Sequence, residues 1–177
     1  MIKRAAFTLV ELLVVIVVIA ILAAIALPAY FRVVENGRAA SCLSNLRQIG
    51  AGLNVYLGEH NMEMPTLLTG RASREEEGPV LDVVLAPYVK DPRVFACPSD
   101  LKWYAIAGTS YGWNNLLNGQ SAAALNFFNV EDHTHIPVIF DREGFHADPL
   151  NRTNILYADG HATKDVKFFT EDNGPKK

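Results

Sequence analysis

One carboxylate stands where lipid or a packed helix core would reject it. In the stretch AAFTLVELLVVIVVIAILAAIALPAY, Glu11 precedes a run that holds only Leu, Ile, Val and Ala from Leu12 to Leu27. With Phe7, Leu9 and Val10 in front, the run reaches the roughly 20 residues a helix needs to cross a bilayer. Its Leu, Ile and Val residues together favour insertion by about 5 kcal/mol, and a carboxylate at mid-helix costs about 3 kcal/mol of that. Glu11 therefore either lies at the interface and reaches water or has a positive partner, and a charge of this kind marks a functional site.

Other residues invite chemistry less strongly. Cys42 and Cys97 could pair or remain two buried thiols. A bridge would close a loop of roughly 55 residues, worth about 4 kcal/mol in the chain-entropy picture. His133 and His135, two apart, would share one face of a strand, and Asp141, Glu143, Asp148 and Asp159 follow. No third ligand is placed beside the histidines, and transition-metal sites need three or four. Oxygen-rich loops suit calcium, although no segment matches a calcium loop residue by residue; calcium is the one ion left open, and no other metal or cofactor is expected. Nucleophile-elbow, phosphate-loop and HExxH patterns are absent from the sequence, which argues against an enzyme; the rival reading that the His- and Asp-rich tail leaves open is an anchored or secreted monomeric ligand-binding protein or hydrolase.

These residues must be positioned by few elements. The chain has 177 residues and a net charge of −3, enough for one anchor and one small domain. It shows no basic stripe of the kind that marks nucleic-acid binding. Lys3 and Arg4 precede the apolar run, so the positive-inside rule puts the N-terminus in the cytoplasm and the rest outside. Exposure to an oxidising exterior is what makes a disulfide available. Three fates are open to the N-terminus: a secretory signal cut after Ala26, an uncut anchor, or removal of only the basic leader Met1 to Ala6. The first fits poorly, because the apolar run exceeds the 7 to 15 residues usual in a signal peptide. Only the third gives Glu11 a partner, the new ammonium on Phe7. That group lies four residues away on the same helix face, and such a buried pair would fix register between neighbouring helices.

The segment AFTLVELLVVI resembles the processing motif of type IV prepilins and type II secretion pseudopilins. The resemblance implies cleavage between Ala6 and Phe7 by a prepilin peptidase, N-methylation of Phe7, and a glutamate at the fifth mature position, which is Glu11. Pro28 falls at mature position 22, where pilins commonly carry proline, while Ala6 stands where the family usually has glycine. It further implies a structural subunit of a pilus or pseudopilus, held as a single-pass inner-membrane protein with its globular domain periplasmic. Its partners would be itself, other pilin-like subunits and an inner-membrane assembly platform.

Beyond Pro28, Cys42, Leu46, Ile49, Leu53 and Tyr56 are spaced 4, 3, 4 and 3, one apolar helix face. From Phe7 to about Leu57 the helix would be on the order of 75 Å long, bending or loosening at Pro28 and Asn36-Gly37. Residues 58–79 read as a surface loop with Glu75, Glu76 and Glu77 solvated. VLDVVLAPYV reads as a short helix, VFACPSD as an extended piece and turn, and TSYGWNNLLNG as a strand and loop. Pro137 to Asp141 is a strand. Asp159-Gly160 between two runs is a hairpin signal, with Ala162, Val166 and Phe168 on one face and Thr163, Asp165 and Lys167 on the other. The organisation is a leader over 1–6, a transmembrane assembly helix over 7–28, its amphipathic continuation over 29–58 and an exported globular domain over 59–177. The class is α+β, a long helix on a small antiparallel sheet.

A second resemblance, carried by CLSNLRQIG, VFACPSD, SYGWN and NILYADGHA, is to pseudopilin-like proteins with a His, nine residues and Asp-Gly near the end. Here twelve residues separate His146 from Asp159-Gly160, a loop lengthened around ADPLNRT. Both cysteine stretches recur in that family, which implies a structural bridge.

Overall fold

The computed structural model describes residues 8–146 and 153–164. The chain divides into two compact units, Met1–Gly37 and Arg38–Lys177. Helix α1 runs Leu9–Glu59. Val and Ile dominate its first half, residues that lose side-chain freedom in a helix. No breaker precedes Pro28, and a backbone away from water must satisfy its own hydrogen bonds, which a helix does.

The bends expected at Pro28 and Asn36-Gly37 do not end the helix, which continues through both. A proline removes one backbone donor and crowds one turn; the Ala, Leu and Arg residues on either side keep the rest of the ladder. The helix also outruns the expected loop start at Gly58 and closes at Glu59. There the N–H of Met62 donates to Leu57 O at 2.9 Å, and Asn61 and Met62 take left-handed φ of 53° and 59° to turn the chain back.

The second unit is built on the stripe that the 4-3-4 spacing marks. Cys42, Leu46, Ile49, Leu53 and Leu57 are buried; Tyr56 is only half-buried, stacked on His60 at the stripe's edge. Helix α2 (Leu81–Val84) leads into a 3-10 turn at Ala86–Tyr88, and α3 spans Trp103–Ala107. Four short strands follow, β1 (Tyr111–Trp113), β2 (Pro137–Asp141), β3 (Ile155–Tyr157) and β4 (Ala162–Thr163). They form one antiparallel sheet in the order β1-β2-β3-β4. Asp159-Gly160 turns β3 into β4, with Gly160 at φ 88°, a conformation that suits glycine. The expected facing of Ala162 and Thr163 is seen as buried and half-buried; Asp165, Val166, Lys167 and Phe168 lie outside the described residues. The α+β, pilin-like layout holds.

Three local readings are corrected. VFACPSD is extended only at Ala96, ahead of a turn at 98–99; its Val94 and Phe95 belong to a 3-10 turn over Pro92–Phe95, begun by the Asp91 carboxylate accepting the N–H of Arg93 at 2.9 Å. Residues 58–79 are not all surface, because Met64 and Leu67 are buried in the core, although Glu75, Glu76 and Glu77 are exposed. Asn118 holds that segment in, donating to Leu67 O and accepting Leu67 N–H at 2.9 and 3.1 Å. Third, His133 and His135 lie in a 3-10 turn, not on a strand, because Asp132 accepts the N–H of Thr134 and nucleates the turn.

Sheet and loops approach α1 closely at two glycines. A Cβ on Gly50 would meet Leu156 Cδ2 at 2.9 Å, and one on Gly52 would meet Val89 Cγ1 at 2.9 Å and the Tyr88 carbonyl oxygen at 3.0 Å. The backbone at Tyr88 has little room to withdraw. Gly52→Val should therefore destabilise the folded domain by about 1–3 kcal/mol through overpacking, read as a shift in the urea unfolding midpoint at unchanged slope.

Candidate assembly helix and buried disulfide

Glu11 occupies the first turn of α1 and is already engaged within its own chain. Its Oε2 accepts the backbone N–H and the hydroxyl of Thr8, each at 2.8 Å, while Glu11 N–H donates to Thr8 Oγ1 at 3.2 Å. Leu12 N–H donates to Thr8 O at 3.3 Å. Thr8 is thus the N-cap and Glu11 the third helical residue of a reciprocal capping box, and the carboxylate also favours the positive end of the helix dipole. Ala6 and Phe7 lie outside the described residues.

Behind this cap the apolar first half of the helix is exposed. Leu9 is 79% and Ile25 71% exposed. The most apolar 18-residue window of α1 has mean hydropathy 3.2 and buries none of its residues within the protein. Water would not tolerate so long an apolar surface, and the helix is long and apolar enough to cross a membrane.

In the second unit Cys42 and Cys97 are joined in a disulfide, with Cα atoms 5.1 Å apart. Cys42 opens the buried stripe of α1, and Cys97 follows the Pro92–Phe95 turn. Two hydrogen bonds set Cys97 against the helix: Asn45 Nδ2 donates to Ala96 O at 2.8 Å, and Cys97 N–H donates to Ser110 Oγ at 2.9 Å. Ser110 in turn donates to Asp100 Oδ2 at 2.6 Å. Burial opposes ionisation of Asp100, but that hydroxyl and the N–H groups of Lys102, Trp103 and Tyr104 outweigh it and hold the carboxyl below its ordinary range.

Beside the disulfide lies a polar cluster within the core. Asp141 at the end of β2, His146 and Asn154 are all buried. Asp141 Oδ2 accepts the N–H and the amide of Asn154 at 2.7 and 3.0 Å. Burial pushes the Asp141 carboxyl above its ordinary value despite His146 and Asn154. The other candidates are scattered: Glu143 faces Lys102 at 3.9 Å, His135 pairs with Asp132, Asp159 accepts the N–H of His161, and Asp148 lies outside the described residues.

Residues 1–27 match the family model described as the prokaryotic N-terminal methylation motif. Motif and helix together fit a type IV pilin-like protein. No curated protein and no solved structure matches the chain. For this pilin-like chain the motif supports processing by a prepilin peptidase and assembly with other pilin subunits, and points to a structural subunit, not an enzyme. Anchoring in a membrane is consistent with the same apolar helix.

Sequence reasoning missed Thr8, although the signal was present: Thr8-Leu9-Val10-Glu11 has the capping-box spacing. Asn154 carried no such signal, since only the closed sheet brings it to Asp141, thirteen residues away.

Asp100 provides a pH test. A carboxyl whose folded-state pKa lies below its unfolded value adds stability above the unfolded value and loses it as pH falls through the folded one. Thermal melts should show Asp100→Asn less stable than wild type at neutral pH. The gap should close below the ordinary aspartate value of 3.8.

Proposed function

We propose that this chain is a structural subunit of a pilus or pseudopilus, cut between Ala6 and Phe7, methylated on Phe7 and assembled through the apolar half of α1. The observation that carries the reading is the methylation motif over residues 1–27, continuous with a helix whose most apolar stretch has no residue buried among the described residues. In the membrane, lipid covers that surface; in a filament, the helices of neighbouring subunits do. The partners are a prepilin peptidase, other pilin-like subunits including copies of this chain, and an inner-membrane assembly platform, with the domain beyond the helix periplasmic.

Glu11 supplies register. Both Thr8 contacts of its carboxylate fall on Oε2, at the helix end where the Phe7 ammonium would appear after cleavage. An ammonium there, from the same chain or a neighbour, neutralises the carboxylate when lipid or packed helices exclude water. A subunit out of register leaves both charges unpaired in an apolar medium, at about 3–5 kcal/mol for a broken buried pair. The disulfide between Cys42 and Cys97 braces the domain that the helix carries.

Mass spectrometry of the native protein should find a mature chain that begins at Phe7 and carries one added methyl on its amine. A chain beginning at Leu27 would instead mean a released secreted protein, and intact Met1 a simple anchor; either would overturn the reading. Glu11→Gln should leave membrane insertion unchanged and sharply reduce recovery of the subunit in sheared filament fractions.

A further inference from the structure

The core disulfide has an unusual neighbour. His146 Nε2 lies 3.8 Å from Cys97 Sγ, and one donor atom from each of Cys42, Cys97 and His146 falls within 4.8 Å of the others. All three residues are buried. Two donors at sulfur and nitrogen bond lengths from one tetrahedral zinc stand about 3.6 Å apart, close to the separation seen between Cys97 and His146.

The surroundings are those of a charged site more than of an apolar crosslink. Nε2 of His146 is 2.6 Å from Asn154 Nδ2 and 3.4 Å from Asp141 Oδ2. The Asp141 side chain is fully enclosed, yet its Oδ1 has no hydrogen-bond partner among the described residues. An enclosed carboxylate oxygen left unmet is costly, and a disulfide, being neutral and a weak acceptor, cannot meet it.

We propose that Cys42, Cys97 and His146 form a redox-gated site for a thiophilic divalent cation of the zinc class. While the disulfide stands, the site is closed. An exported dithiol opens it by thiol–disulfide exchange: the donor is oxidised to its own disulfide, and its two electrons and two protons leave Cys42 and Cys97 as thiols. Binding releases both thiol protons. The two thiolates and His146 Nε2 then hold the ion, and Asp141, whose Oδ2 lies 3.4 Å from that nitrogen, sets a negative charge beside it. Ligation draws the Nε2 lone pair away from the Asn154 amide, and the sulfurs part to about 3.8 Å. Thiolates disfavour calcium and magnesium, so the site is distinct from an oxygen-lined calcium loop. Cysteine–histidine–carboxylate catalysis fits less well, since Asp141 and Asn154 contact the same ring nitrogen that faces the sulfur, not the opposite one.

The test uses the full chain in detergent, without added histidines, kept anaerobic and reduced with a phosphine, and cobalt(II) as the probe ion. The reduced protein should take up one equivalent with a thiolate-to-cobalt charge-transfer band that zinc(II) abolishes, and the oxidised protein should show no band. His146→Gln, which retains the disulfide and can be checked for folding before reduction, should lose the band or bind at least 10-fold more weakly. Asp141→Asn should weaken binding by about 10–100-fold. Absence of a band in the folded reduced protein, or equal binding by His146→Gln, overturns the proposal. Should reduction unfold the domain, zinc must restore its far-ultraviolet circular dichroism, and failure to do so overturns it equally.

Discussion

The burial of one stripe of α1, Cys42 to Leu57, is the interaction on which the folded part of this chain depends. The sheet is too small to be stable alone: its strands are three, five, three and two residues long, and sheets of that size need an apolar partner. Leu46, Ile49, Leu53 and Leu57 provide it, meeting Trp113, Val138, Ile139 and Leu156 in one core. Glycines at positions 50 and 52 let the backbone come near enough for that contact. The same helix, thirty residues earlier, presents side chains as apolar as these that are exposed. One continuous element therefore carries two surfaces of similar chemistry that require different surroundings, protein for one and lipid or other helices for the other.

That division was legible in the residues, because hydrophobic periodicity distinguishes the two halves. A helix apolar on every side is bound for a membrane or a bundle, and one with a single apolar stripe for a domain surface. The strand at Pro137 to Asp141 and the Asp-Gly hairpin were legible for a similar local reason: alternation and turn chemistry act within a few residues. The 3-10 turns at Pro92–Phe95 and His133–His135 were not, since short polar side chains one or two positions ahead decided them against the strand-like composition of the run.

The buried polar cluster was legible only in part. Asp141 stood out as a residue that could do chemistry and His146 only as part of a family spacing, but their association with Asn154 and with the disulfide is a product of tertiary closure. Cys97 and His146 are 49 residues apart, and nothing in the spacing brings them together. Thr8 is the opposite case, a local motif in plain view that the eye passes over because the glutamate in an apolar run draws attention to membrane energetics. In the folded chain the first duty of Glu11 is to begin a helix.

The position of the disulfide has a mechanical corollary. Cys42 is where α1 first enters the core, and its bond to Cys97 ties that entry point to the far side of a 55-residue loop. Tension applied along the helix from its amino end reaches the domain first at this covalent tie. The load then passes to the Pro92–Phe95 turn and the hydrogen bonds around Ser110, before any strand pair is asked to shear. A domain tethered in this way resists being peeled off its own stalk.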